Sequence, residues 1–239
     1  MINNYEFTKD QKECINEAVK WYKKQTKQVF QYAGWAGVGK TTIVPHMIRK
    51  MGLEMDEVIA VAFTGRAASN LSMKGIPATS AHSAFMELIE VPKTDKDGNV
   101  ITKDGRALKT FMFKKKSYLP KQAKLIFIDE GYLLPDDLGE IAESFGLPVC
   151  VCGDPGQLGP IYGKPRYLIK PDFFINEITR QGKESGIVEF ATMIRKGKEI
   201  PRKKRMIKNN VFILPKEEVT DKILVNSEII LCAKNKTRN

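Results

Sequence analysis

Histidine is nearly absent from these 239 residues: His46 and His82 are the two. That count disfavours a histidine-rich metal site. Cysteine is scarce as well, represented by Cys14, Cys150, Cys152 and Cys232. Only Cys150 and Cys152 lie close together, as C-x-C inside an apolar run. That spacing is a weak zinc signal and is wrong for a C-x-x-C redox pair. Buried strand thiols in a reducing compartment are the better reading. No run of about 18 apolar residues occurs, so no membrane-spanning helix is expected. The opening Met1-Ile2-Asn3-Asn4-Tyr5-Glu6 lacks the basic start and apolar stretch of a secretory signal, and a cytoplasmic location is expected. Acidic residues are in deficit, 28 against 39 basic, for a formal net charge of +11. Such a chain attracts polyanions, nucleic acid first among them. A basic protein without that partner is the alternative that charge alone leaves open.

Hydrophobic residues make up 42% and charged residues 28%, an ordinary balance for a globular protein and one that excludes wholesale disorder. The length suits one large domain, or one and a half. Thr8 reads as the cap of an amphipathic helix running to Tyr22. Val29–Ala33, Val58–Phe63, Leu125–Ile128 and Pro148–Cys152 are short apolar runs rich in β-branched residues and read as strands. Helices are expected over Lys40–Met51, Ala67–Lys74 and Glu184–Lys196. Strands alternating with helices predict a parallel, doubly wound α/β sheet with helices on both faces. Residues 86–124 differ in character, with a polar D-G-N turn at Asp97-Gly98-Asn99 and a basic cluster Lys114-Lys115-Lys116 beside Phe111 and Phe113. They read as a small inserted β-hairpin subdomain whose tip is the D-G-N turn. Beyond Lys196 come a basic loop, Arg202–Arg205, and strand-like runs Val211–Leu214 and Ile229–Ala233 with a helical stretch between them. The expected organisation is a domain over 1–196, the insertion within it, and the start of a second α/β domain over 197–239.

Gly34-Trp35-Ala36-Gly37-Val38-Gly39-Lys40-Thr41 fits G-x-x-x-x-G-K-[ST] without a gap, between an expected strand and an expected helix. Glycines let the backbone wrap a phosphate with its N–H groups, and the helix N-terminus adds positive potential. Lys40 would reach the β- and γ-phosphates, and the Thr41 hydroxyl would hold Mg²⁺. Asp129 and Glu130 end another apolar strand; Asp129 would help hold the metal and Glu130 would polarise an attacking water. Gly153-Asp154-Pro155-Gly156-Gln157 ends the next strand and belongs on the same carboxyl-end edge of the sheet, where Gln157 would sense the γ-phosphate.

In order and spacing these segments resemble superfamily 1 DNA helicases of the RecD-like, Pif-like and Dda-type group. Gly34–Thr42 resembles motif I, with Thr42 as its last residue, and Ile128–Gly131 the DE-box. Gly153–Pro160 resembles motif III, and Ile178-Thr179-Arg180-Gln181 the arginine motif, whose Arg180 would contact the γ-phosphate. Thr64, Gly65 and Arg66 fall in a segment resembling motif Ia; Thr79, His82 and Ser83 fall in one resembling the T-x-H-S motif. The resemblance places both against DNA. Phe7-Thr8-x-x-Gln11 resembles the family's adenine-reading segment, with Gln11 as reader. The insertion falls where this group carries its strand-separating pin, so Phe111 and Phe113 would stack on bases; an ordinary amphipathic hairpin is the alternative.

The resemblance implies a RecA-like P-loop fold, ATP and Mg²⁺ as cofactors, and 5′-to-3′ translocation on single-stranded DNA or at its junction with duplex. Its later motifs, a threonine that grips DNA and a second arginine for hydrolysis, would lie beyond Asn239, in a longer chain or a second polypeptide, or be lost. Two other readings stand beside the helicase: a nucleic-acid-binding fragment impaired in turnover, and a small P-loop kinase or NTPase acting on a metabolite.

Overall fold

The computed structural model describes residues 6–177, 186–200, 205–207 and 211–230. The chain divides into two compact units, 1–180 and 181–239. The first begins with α1 (Lys9–Lys24), held by a reciprocal cap. The Gln11 amide donates to Thr8 Oγ1 at 3.3 Å while the Gln11 side-chain oxygen accepts from the Thr8 amide at 3.0 Å. There follow β1 (Val29–Gly34), α2 (Val44–Met51), β2 (Val58–Ala62), α3 (Gly65–Ser72), β3 (Ala78–Ser80) and α4 (Ala81–Phe85). The insertion contains β4 (Met86–Pro92), β5 (Thr102–Lys103), β6 (Arg106–Ala107) and β7 (Lys109–Lys115). The chain then returns through β8 (Leu125–Asp129), α5 (Asp136–Glu143), β9 (Val149–Gly153) and β10 (Phe173–Ile175).

Six strands form one sheet in the order β10-β1-β9-β8-β2-β3. All of its pairings are parallel, as the alternation of apolar strands and helices predicts. The four strands expected from sequence lie within a residue of their predicted bounds. The uninterrupted apolar runs of β2, β8 and β9 are explained by burial on both faces, while β1 carries one polar residue, Gln31. Phe127, Cys150 and Cys152 join one core cluster with Cys14, Trp21 and Met47; Ile126, Ile128, Val149 and Val151 join another with Phe85, Leu134 and Leu138. Successive strand residues therefore serve opposite cores, one under α1 and α2 and one under α4 and α5.

Three of the differences from expectation have a local physical cause. Helix α2 starts at Val44 rather than Lys40. Pro45 has no N–H to give the Thr41 carbonyl, and residues 39–44 are held instead by tighter turns, Thr42 N–H to Gly39 O at 3.0 Å and Val44 N–H to Thr41 O at 3.3 Å. Helix α3 begins two residues before Ala67, because the Thr64 hydroxyl caps it by accepting the Ala67 amide at 3.2 Å. In the insertion, β4 and β7 pair antiparallel from Met86–Lys115 to Pro92–Lys109. The hairpin tip, however, is at Asp104-Gly105, where φ is 52° and 75°, between β5 and β6. Asp97-Gly98-Asn99 forms a separate side turn closed by the Asp95 carboxylate, which accepts the Asp97 and Asn99 amides at 2.9 Å each.

In the second unit, α6 (Gly186–Arg195) packs on an antiparallel hairpin of β11 (Arg205–Ile207) and β12 (Val211–Ile213), followed by α7 (Asp221–Val225). This packing groups the helix with the residues after it. Ile229 and Ile230 carry no regular structure, and the rest of that expected strand lies outside the described residues, as do residues 202–204 of the basic loop.

Gly131, two residues after the end of β8, has no room for a side chain: a methyl there would run into Val151 Cγ1 on β9. Gly131→Ala is expected to lower the stability of the first unit by about 1–3 kcal/mol, read from the urea or thermal unfolding midpoint.

Candidate nucleotide and nucleic-acid sites

The carboxyl ends of β1, β9 and β8 lie side by side, with Ala33 opposite Gly153 and Ile128 opposite Val151. Three loops therefore converge on one edge. The first is the glycine turn leaving β1. Gly34 must be glycine, because a Cβ would sit 2.8 Å from the Ile175 carbonyl oxygen of β10. Gly37 and Gly39 take φ of 88° and 78°, the left-handed conformation that turns amide groups inward to make an anion cradle. The Gln11 side-chain amide braces this turn from below by donating to the Val38 carbonyl at 2.9 Å. The Lys40 ammonium folds back onto the turn, donating to the Gly34 and Trp35 carbonyls at 2.8 and 3.1 Å.

The second loop leaves β8. Asp129 is buried and receives three donors: the Thr41 hydroxyl on Oδ2 at 3.3 Å, and the Glu130 amide and Cys152 thiol on Oδ1, each at 3.0 Å. Glu130 adopts φ of 53°, unusual for a side chain with a Cβ. Its Oε2 is buried with no hydrogen-bond partner, the one such side-chain atom among the described residues. Burial, then the Asp129 and Asp154 charges, push the Glu130 carboxyl above its ordinary value; Lys40 and a hydrogen bond from Gln157 oppose them. The third loop leaves β9, where Asp154 Oδ1 accepts the Gly156 amide at 2.8 Å and presents the exposed Gln157.

A cavity of about 550 Å³ joins all three. Gly37, Gly39, Lys40, Thr41, Thr42, Asp129, Glu130 and Gln157 line it together with Ala36. Its remaining wall is α3 and the two residues after it, through Ala67, Asn70, Met73 and Lys74, for which the sequence predicts no role in the site. Nothing local marks them; they reach the cavity because β2 stands next to β8. Gln11 does not join the lining. It is fully buried, with its side-chain oxygen given to Thr8 and its side-chain amide to Val38, so it supports the turn where the adenine-reading expectation would have it face a ligand. Trp35 turns aside against Phe174, ring centroids 4.9 Å apart, and Val38 is buried in the core. Arg180 lies outside the described residues. The donor set of amides, a lysine, a hydroxyl and two carboxylates fits a triphosphate with a hard, oxygen-loving divalent cation. The orphaned Glu130 oxygen supplies an acceptor that protein atoms leave unused.

Beside this site, Thr64, Gly65 and Arg66 follow β2 and are exposed, while Thr79 and Ser80 pair with Val61 and Ala62. Ser83 shares a 2.9 Å hydrogen bond with Ser80, and its carbonyl accepts Lys116 Nζ at 2.6 Å. The His82 ring lies 5.5 Å from that of Phe113. His82 and Ser83 thus adjoin the hairpin strands and the residue that follows them. Phe111 and Phe113 are 65% and 55% exposed, side by side on one face of β7, with Lys109, Lys114 and Lys115 on the same strand.

The sign of the Glu130 shift fixes a pH dependence. A carboxyl whose folded value is raised destabilises the fold increasingly as pH climbs from its ordinary 4.5 through the folded value, and leaves stability untouched below that window. In chelator and without nucleotide, Glu130→Gln is expected to melt above the wild type at pH 8, with the gap closing by pH 4; calorimetry at the two pH values checks it.

No curated protein matches the chain. Among solved structures, Bacteroides Pif1 bound to ssDNA matches with a TM-score of 0.54 and 17% identity, over 82% of this chain and 48% of that one. The Pif1 helicase from Candida albicans matches with a TM-score of 0.54 and 18% identity, over 82% of this chain and 45% of that one. The chain spans about half the length of either, and at such identities the likeness establishes a shared fold. The sequence profile of the AAA domain matches residues 6–213, most of the chain and every described element of the phosphate site, so the protein belongs to the AAA domain family, with the fold of a Pif1-type helicase motor domain.

Proposed function

We propose that this chain is the ATP-hydrolysing motor domain of a DNA helicase that moves 5′-to-3′ on single-stranded DNA and engages its junction with duplex. The observation that supports this reading is one cavity lined by the glycine turn, Lys40, the Thr41–Asp129 pair and Glu130. Amides of residues 36–41 cradle the phosphates, and Lys40 exchanges its two carbonyl partners for phosphate oxygens. Thr41 and Asp129 would hold Mg²⁺, which would supply neutralisation of charge on the phosphates. Glu130 orients and polarises a water, and its raised pKa brings its basicity nearer neutral pH. Gln157 stands beside Glu130 at the γ-phosphate end, and Arg180 is assigned the same phosphate by its motif. Exposed Thr64, Gly65, Arg66, Thr79 and Ser83 with half-buried His82 supply the DNA track, and Phe111 and Phe113 supply stacking surfaces. Direction of travel rests on the resemblance to the 5′-to-3′ group.

A binding module without turnover is the second reading. ATP hydrolysis with and without single-stranded DNA separates the two. DNA-stimulated turnover is expected, reduced about a hundredfold or more by Lys40→Ala. Nucleotide and DNA binding without turnover would establish the second reading. On the DNA side, Phe113→Ala is expected to weaken single-strand binding by about 1–3 kcal/mol in fluorescence anisotropy while leaving its salt dependence unchanged, because a stacking contact releases no counterions.

A further inference from the structure

Cys152 lies at the end of β9, between two strands that both feed the phosphate site. It pairs in register with Tyr32 of β1, and Val151 pairs with Ile128 of β8, which sets Asp129 next to Cys152 on the same face of the sheet. Tyr32 in turn donates its hydroxyl to the Lys40 carbonyl at 3.2 Å. One row of side chains thus crosses three strands beneath the phosphate turn and ends on the Asp129 carboxylate. The Cys152 sulfur is fully buried and 3.0 Å from Asp129 Oδ1, a close approach for a sulfur donor.

We propose that Cys152 is a positioning residue for the cation-holding carboxylate, its thiol hydrogen bond fixing the plane in which Asp129 meets Thr41. A carboxylate turns about its Cβ–Cγ bond unless its oxygens are held unequally. Here Oδ1 takes two donors, the Cys152 thiol and the Glu130 amide, and Oδ2 is left for the Thr41 hydroxyl and the cavity. Without the thiol, Oδ1 would keep only the amide of Glu130, a residue in a strained left-handed turn. An apolar side chain of similar size would fill the same space in the core but orient nothing. Packing alone therefore does not call for a donor at this position. Removing a donor that orients a metal ligand typically costs ten- to a hundredfold in metal affinity.

The inference rests on the nucleotide-site reading above, and the test keeps the two apart. Binding of a fluorescent ADP analogue is followed by anisotropy as Mg²⁺ is titrated, for wild type, Cys152→Val, Cys152→Ser and Lys40→Ala. Cys152→Val is expected to need about tenfold more Mg²⁺ at the midpoint, and Cys152→Ser to stay within about twofold of wild type. Affinity in chelator is expected to be equal for these three. A wild-type midpoint for Cys152→Val overturns the proposal, and so does a serine variant as impaired as the valine one. Wild-type protein showing no Mg²⁺-dependent binding that Lys40→Ala weakens removes the nucleotide-site reading and the proposal with it. Should Cys152→Val fail to fold, the infrared S–H stretch of wild type minus Cys152→Ser decides. A band shifted to low frequency by hydrogen bonding supports the assignment, and a free-thiol band overturns it.

Discussion

Parallel pairing of β1, β9 and β8 is the constraint from which the phosphate site follows. Parallel strands deliver their carboxyl ends to one edge. The registers Ala33–Gly153 and Ile128–Val151 then bring the glycine turn, the Asp154 loop and the Asp129-Glu130 pair to one level. A slip of one residue in β8 would send Asp129 to the opposite face, away from Thr41. That register is protected by hydrophobic burial on both sides. Ile126 and Ile128 belong to the core under α4 and α5, and Leu125 and Phe127 to the core under α1 and α2, so a one-residue slip would exchange the side chains fitted to the two cores.

The same burial explains why the chemistry sits in tight quarters. Lys40, Asp129 and Asp154 are at most 9% exposed, and each has its partners close by. Lys40 is satisfied by two carbonyls, Asp129 by three donors, and Asp154 by the Gly156 amide. Glu130 is the exception. Its carboxyl receives Gln157, but its buried Oε2 has no hydrogen-bond partner, and the residue forms part of the cavity wall. Strain and an unmet hydrogen bond at one residue mark a site shaped for something other than stability.

Much of this was legible in the linear sequence, for physical reasons. Strands buried on both faces read as unbroken apolar runs, which is why Val58–Ala62 and Leu125–Asp129 could be placed closely. The phosphate turn is contiguous, so its spacing is visible without a fold. Edge strands β3 and β10 were not called, because three residues such as Ala78–Ser80 leave no periodicity to read. The hairpin tip was misplaced because Asp97-Gly98-Asn99 and Asp104-Gly105 carry the same turn chemistry, and only pairing across β5 and β6 chooses between them. Contacts that depend on which strands are neighbours were invisible: Lys74 and Asn70 in the cavity wall, Gln11 on the Val38 carbonyl, and Cys152 on Asp129.

The glycines that follow β8 and end β9 meet almost backbone to backbone. A Cβ on Gly153 would lie 3.1 Å from the Gly131 nitrogen and 3.4 Å from the Glu130 carbonyl carbon. Most neighbouring loops in proteins touch through side chains, whose rotamers act as slack and absorb small displacements. Here there is no rotamer between the turn that carries Glu130 and the one that leads to Gln157. In mechanical terms the joint has no play: a shift of a few tenths of an ångström in one turn is passed to the other at nearly full amplitude.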